Sequence, residues 1–289
     1  MGDGRSHRQN LFVTYKFREL CGFSCCDATN MAPGRVLVAG VGGVGRALAL
    51  RLAARGAPVH LVARSADKLA ALRAELLAAG AAPAAVSASA ADLTLDADVE
   101  RAARECAEAG AGAPLAGFAY AVGSIPLKPL KGSTARDFAD AYALNVIGGA
   151  MLLRACLPQL LAAAPSSSPA AAVFFSTVAS RVGFPNHCAI AAAKGGVEAL
   201  VRSAAAELAP RLRVNCVAPS LSDTPLAARM TSNEAVRKAL GEAHPLPRIG
   251  TADDSASMAD FLLDDSRSSW ITGQIFSVDG GRSTLRHKN

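Results

Sequence analysis

Aromatic side chains are scarce in this chain: one Trp, three Tyr and 10 Phe supply 5% of 289 residues, and charged side chains only 19%. The apolar content, 51%, therefore comes from aliphatic residues, with alanine prominent. That is ample material for a two-sided core, and it excludes a disordered chain. Paired cysteines are also missing. The seven, at 21, 25, 26, 106, 156, 188 and 216, are odd in number, without CxxC spacing and without a secretory leader. This excludes a disulfide framework and gives no metal site, and reduced thiols in a cytoplasmic compartment are the expectation. No run approaches the ~18 to 20 apolar residues that cross a bilayer, so no membrane span is expected. Nor is charge of one sign gathered anywhere. The net charge of +6 is spread among Asp and Glu, which speaks against nucleic acid and suits an anionic small molecule.

What is present falls into three parts. Residues 1–33 carry Arg5, Arg8, Lys16 and Arg18 against Asp3, Glu19 and Asp27, with no period that continues downstream, and are expected to form a flexible extension. Met1-Gly2 followed by Ser6 fits a loose myristoylation pattern, and the arginines suggest organellar targeting as the alternative to a cytoplasmic location. A single domain is expected over 34–283, then a short tail, 284–289. From Arg35 onward short apolar runs alternate with amphipathic stretches: RVLVAG, VGRALALRLAARG, PVHLVAR, ADKLAALRAELLAAG, AAVSASA, DADVERAARECAEAG, LAGFAYAV, helical material from Asp137 to Leu161, AAVFFS, a long helix from about Asn186 to Leu208, RVNCVAP and IFSV. Seven strands that are apolar on both faces and separated by helices predict an α/β fold, a doubly wound parallel sheet with helices on both faces.

Directly after the first strand stand Gly40, Gly42, Gly43, Val44 and Gly45, with three glycines spaced as GxGxxG. A strand feeding a glycine turn and then a helix N-terminus lets backbone amides hold a pyrophosphate, the Rossmann arrangement. The second strand ends on Arg64 and Ser65, with Lys68 close by. An acid there would accept the 2′-hydroxyl of NAD(H), whereas an arginine accommodates a 2′-phosphate, so NADP(H) is the preferred cofactor and NAD(H) the alternative.

The order of these motifs resembles the short-chain dehydrogenase/reductase family over roughly residues 34–283. The resemblance implies that Asp92 and Leu93 lie by the adenine, that Ala121 and Gly123 replace the family's NNAG turn, and that Asn145 supports a proton relay. It further implies that Lys194 is the lysine of YxxxK, that Pro219 follows the sixth strand, and that Thr224 meets the nicotinamide carboxamide. The glycine loop departs from the family's TGxxxGxG, with Ala39 for threonine and one residue fewer. The larger departure is Ile190, which stands where YxxxK has tyrosine, while Thr177 occupies the serine position with Ser176 beside it. In the family mechanism the tyrosine protonates the carbonyl oxygen as hydride arrives, and isoleucine has no proton to give.

Three residues are weighed as replacements. Tyr120 ends the fourth strand, and Tyr142 precedes Asn145 by three. His187 precedes Ile190 by three and Lys194 by seven, which places all three along one helix face, and a histidine there could donate a proton near neutral pH. The other reading of His187 is a helix-start histidine bonded to backbone. From Leu221 to Gly250 the resemblance implies a lid, in which Leu226, Met230, Leu240 and Leu246 suggest an apolar pocket and Arg229 or Arg237 would meet an acidic group. The expected function is an NADP(H)-dependent oxidoreductase acting on a small carbonyl or alcohol, with Lys194, Thr177, Asn145 and His187 in the catalytic set. A catalytically impaired dinucleotide-binding protein with a partner is the alternative. The resemblance also implies a homodimer or homotetramer, which Ala191, Ala192, Ala193 and Ala204 to Ala206 would permit.

Overall fold

The computed structural model describes residues 34–110, 114–163 and 168–286. The amino-terminal extension, with Cys21, Cys25, Cys26 and Tyr15, lies outside the described residues. The strands are β1 (Arg35–Ala39), β2 (Val59–Ala63), β3 (Val86–Ala90), β4 (Leu115–Tyr120), β5 (Ala170–Phe175), β6 (Leu212–Pro219), the short β7 (Ser222–Asp223) and β8 (Gly250–Thr251), and β9 (Ile275–Val278). Seven of them form one sheet in the order β3-β2-β1-β4-β5-β6-β9. Every pairing in it is parallel. Successive strands of this sheet are joined through helices, and these are α1 (Gly43–Ala54), α2 (Ala66–Ala78), α3 (Asp96–Glu108), α4 (Ala135–Tyr142), α5 (Gly148–Ala163), α6 (Cys188–Leu208), α7 (Ala228–Thr231), α8 (Glu234–Glu242), α9 (Ala252–Leu263) and α10 (Asp265–Ser268). The α3 connection crosses from β3 at the edge to β4 beside β1. The expected doubly wound sheet is what the chain builds.

Side chains alternate between two cores because the strand period is two. Leu37, Phe118 and Phe174 face α3, α5 and α6 on one side. Val36, Val38 and Leu61 face α1, α2 and α9 on the other. β5 and most of β6 are buried along their length, which is why their sequences are continuously apolar rather than alternating. The polar exceptions inside β6 serve the edge. Asn215 Nδ2 donates to Ile271 O and Asn215 Oδ1 accepts from Gln274 N, which pins the chain that leads into β9.

Two details bear on the site. α4 continues through one π-helical turn, Ala143–Ile147, into α5. This stretch, Ala135–Ala162, is long and apolar enough by composition to cross a membrane, but Leu152, Cys156 and Leu160 show no exposure because they pack on the sheet. Second, the long helix begins at Cys188 rather than Asn186. Asn186 has φ of 67°, a left-handed turn that asparagine tolerates, and His187 is left outside the helix as its N-cap.

Candidate dinucleotide and substrate cleft

The strand order reverses between β2-β1 and β4-β5, and beyond the carboxyl ends of these strands the sheet opens into a cleft of about 970 Å³. This is the crevice in which open α/β sheets bind ligands. Its floor is the turn from β1 to α1. Gly40 adopts φ of 92°, and a Cβ there would stand 2.7 Å from the backbone of Ala121 on β4's exit. Gly42 caps α1 with nothing within 4 Å of an added Cβ, so its backbone faces open space. No side chain caps α1, and its first turn contains no acid. Its amides are left for an anion. Gly43 passes beneath Thr224, whose Cγ2 would lie 2.6 Å from an added Cβ.

Gly45 corrects the expectation that all four glycines touch cofactor. It is absent from the cleft walls, and the carbonyl of Gly40 would lie 1.7 Å from its Cβ. Its role is to let α1 pack against the β1 turn. Asp92 is a second correction. Its carboxylate accepts from the backbone N and hydroxyl of Thr94, at 3.0 and 2.7 Å, and these bonds hold it below the usual carboxylate range. Ala91 and Leu93 form the wall instead.

At the end of β2 the walls include Arg64, Ser65 and Lys68. The Ser65 hydroxyl caps α2 by accepting from Lys68 N, 3.3 Å. Neither Arg64 nor Lys68 forms a close ion pair among the described residues, although the charge of Arg64 acts on Asp92.

The far end gathers the residues expected to do chemistry. Lys194 is 7% exposed, and its Nζ donates to Phe175 O at 2.8 Å. Burial pushes its ammonium down to about 8. Asn145 sits in the π-helical turn, a deformation that recurs at functional positions. Its Nδ2 donates to Ala141 O at 2.8 Å, while its Oδ1 is buried without a partner. A Cβ added to Gly123 would lie 3.2 Å from that Oδ1 and 3.4 Å from Lys194 Nζ. The absent side chain thus leaves room where the lysine and the asparagine converge. Pro219 and Thr224 also line the cleft. The Thr177 hydroxyl accepts from Ala179 N at 3.3 Å, which leaves its proton free to be donated into the cleft. Ile190 is a wall residue at 3% exposure.

The three candidate proton donors separate cleanly. Tyr120 is core: its hydroxyl donates to Leu144 O at 2.7 Å, its ring packs on Phe174, and burial raises its phenol. Tyr142 lies against Gly196 of α6 and outside the cleft walls. His187 is in the wall, but as an N-cap and not on the helix face. Its Nδ1 donates to Pro185 O at 2.7 Å, so Nε2 is the nitrogen left for a ligand.

Four features were not expected from the sequence. Ser176 lines the cleft while its hydroxyl donates to Glu198 Oε1 at 2.9 Å, and Ser180 donates to the same oxygen at 2.6 Å. Glu198 follows Lys194 by one helical turn, and that spacing was the available signal. His244 accepts from Ser220 at Nε2, 2.8 Å, and donates from Nδ1 to Leu240 O, 2.9 Å. Phe184 and Arg282 complete the wall around His187. Of the lid residues, Leu226, Arg229, Met230 and Leu240 line the cleft, whereas Leu246 is exposed and Arg237 pairs with Asp223 at 2.7 Å.

Comparison with known proteins gives consistent matches. The family model described as enoyl-(acyl carrier protein) reductase matches residues 38–283. A glucose 1-dehydrogenase from Gluconobacter oxydans is 32% identical over 255 residues, covering 86% of this chain and 91% of its own length. A solved short-chain type dehydrogenase/reductase from Mycobacterium ulcerans aligns with a TM-score of 0.79 at 32% identity, covering 88% of this chain and 90% of its own. The 3-ketoacyl-(acyl-carrier-protein) reductase of Brucella melitensis, solved with NADH, aligns with a TM-score of 0.77 at 26% identity, covering 86% and 98%.

Proposed function

Because this chain belongs to the short-chain dehydrogenase/reductase family, we propose that it is an NADP(H)-dependent oxidoreductase that interconverts a carbonyl and an alcohol, with His187 in place of the family's tyrosine as proton donor. The observation that carries this reading is that Thr177, His187 and Lys194 line the same cleft as the glycine turn, Arg64 and Lys68.

The residues divide the work as follows. The amides of Gly42 and Gly43 and the start of α1 hold the pyrophosphate, and Arg64 with Lys68 takes the 2′-phosphate. Lys194, in the cleft wall, would hold the ribose beside the reacting ring, and Asn145, buried behind Gly123, would position the lysine. A bound nicotinamide dinucleotide supplies or accepts the hydride. Thr177 donates its hydroxyl proton as a hydrogen bond to the substrate oxygen and orients it. The imidazolium of His187 releases its Nε2 proton to that oxygen as the carbonyl is reduced, and Nδ1–H stays fixed on Pro185 O. Ile190 fills the tyrosine's place with an apolar side chain and keeps water out.

Fluorescence titration with NADPH and NADH, followed by cofactor-consumption assays on a carbonyl panel, tests this. NADPH is expected to bind more tightly than NADH, and Arg64→Ala to remove the difference. His187→Ala is expected to lower kcat by roughly 10²- to 10⁴-fold, and Lys194→Ala to abolish turnover. Because burial brings Lys194 to about 8, NADPH affinity is expected to weaken above that pH as the ammonium is lost. Tight NADPH binding without turnover of any carbonyl would favour the second reading, a dinucleotide-binding protein without catalysis, which Ile190 supports. Failure to bind either dinucleotide would overturn both.

A further inference from the structure

The cleft walls carry Arg64, Lys68, Lys194, Arg229 and Arg282, and no Asp or Glu among the described residues. Two of these cations belong to the adenosine end, and Lys194 to the centre. Arg282 is held at the other end by a purpose-built turn. After β9 the chain passes through Asp279, whose carboxylate accepts from Gly281 N at 2.9 Å and Ser283 N at 2.8 Å. Gly280 and Gly281 then adopt φ of 60° and 85°, values that L side chains rarely take. The turn brings Arg282 into the cleft wall. One prong of its guanidinium donates to Ala243 O, and the plane lies 5.8 Å from the centroid of Phe184. Phe184 in turn lies 5.6 Å from the His187 ring.

Asp279 is the nearest acid in sequence, and its two oxygens are spent on the turn itself. Arg282 therefore has no carboxylate partner among the described residues, although one edge of its planar fork remains unbonded. The cleft wall also carries the aliphatic Ile190, Leu226, Met230, Val236 and Leu240, together with Arg229 and His244. A fixed guanidinium with a free edge, set among aliphatic side chains, matches the two oxygens of a carboxylate in geometry and charge.

We infer that the substrate of this cleft has an apolar body ending in a carboxylate, and that Arg282 is the residue that binds it. The inference rests on the reading of the cleft as a carbonyl site, with the carbonyl at Thr177 and His187 and the carboxylate at Arg282. The ring of Phe184 carries both His187 and Arg282, so seating the carboxylate also sets the distance between substrate and proton donor.

The first test is calorimetric. Protein with and without saturating NADPH is titrated with octanoate and with 1-octanol, two ligands of one chain length and different heads. Octanoate is expected to bind at least tenfold more tightly. In Arg282→Gln the two are expected to bind within about threefold of each other, and in Arg282→Lys much of the preference is expected to return. Equal affinity in the wild type, or an undiminished preference in Arg282→Gln, would overturn the inference.

The second test is turnover of 7-oxooctanoate against its methyl ester. A higher kcat/KM for the acid that collapses in Arg282→Gln supports the assignment. Equal kcat/KM for acid and ester sinks it while leaving the oxidoreductase reading intact. Octanoate preference without turnover of any carbonyl does the reverse: the carboxylate subsite stands and the catalytic reading falls.

Discussion

His60 is buried on a central strand, with both ring nitrogens occupied by Ser87 and Ser89 of β3 at 2.9 Å. Burial, with the charge of Arg35 beside it, pushes its imidazole down to about 4. The folded state thus favours the neutral ring more than the unfolded chain does. The resulting stability is fully present above the ordinary histidine value of ~6.5 and is lost as pH falls from there through about 4. That loss is worth ~3 kcal/mol. Urea midpoints measured from pH 7 to 4 are expected to fall steeply, and His60→Gln to flatten that decline. Ile190 offers the complementary experiment. It stands one turn before Lys194 in the cleft wall, so Ile190→Tyr puts a phenol where the proposed reading places the missing acid. If proton delivery limits the proposed reaction, kcat should rise at least tenfold, with a stability cost of ~1 to 3 kcal/mol from overpacking. An unchanged or lower kcat would show that His187 already delivers the proton efficiently or that another step limits.

The turn between β1 and α1 separates two jobs that its glycines share in sequence. Gly42 faces open space and Gly45 faces the carbonyl of Gly40. Gly42→Ala should leave the melting temperature of the cofactor-free protein within a degree or two while weakening NADPH at least tenfold, because the methyl group fills the anion's place. Gly45→Ala should lower the melting temperature itself, since the backbone must move. Calorimetry with and without NADPH distinguishes the two, and equal behaviour would refute the division. These elements were legible because period and punctuation are local: apolar runs such as AAAVFF and the glycine turn need no tertiary information. Side-chain direction was not. The asparagine turn at 186, which excludes His187 from α6, depends on Lys128 N bonding Asn186 O at 2.9 Å, a contact across 58 residues of sequence. Likewise Tyr120 ends its strand as expected, but strand parity points it into the core, where Gly148 and Gly149 make room for its ring. Arg282 went unread because its aim is set by a turn of two left-handed glycines.

For the molecule as a whole, a cleft walled by five cations and no described carboxylate concentrates a single sign of field. NADPH affinity should therefore weaken as salt rises from 50 to 500 mM, and more steeply than NADH affinity. A flat response would mean that these cations are not in contact with phosphate. Outside the cleft, Tyr142 and Ile147 on the α4–α5 rod are about half exposed, and Ala192, Ala199 and Ala206 recur as exposed positions on α6, which packs against that rod. We expect a homodimer or homotetramer through this face, broken by Ala199→Arg in sedimentation analysis. A monomeric wild type would refute it. The sheet's outer edge carries a consequence of another kind. β9 pairs with β6 only after the chain has passed residue 275, and Arg282 follows it. During synthesis the glycine turn emerges first, then Ala121 and Thr224, which pack on it, and the edge strand and the arginine come last. A chain released after α9 would hold the glycine turn, Ala121 and Thr224 but lack β9 and Arg282, and is expected to lose the carboxylate preference while the cradle's own contacts are already in place.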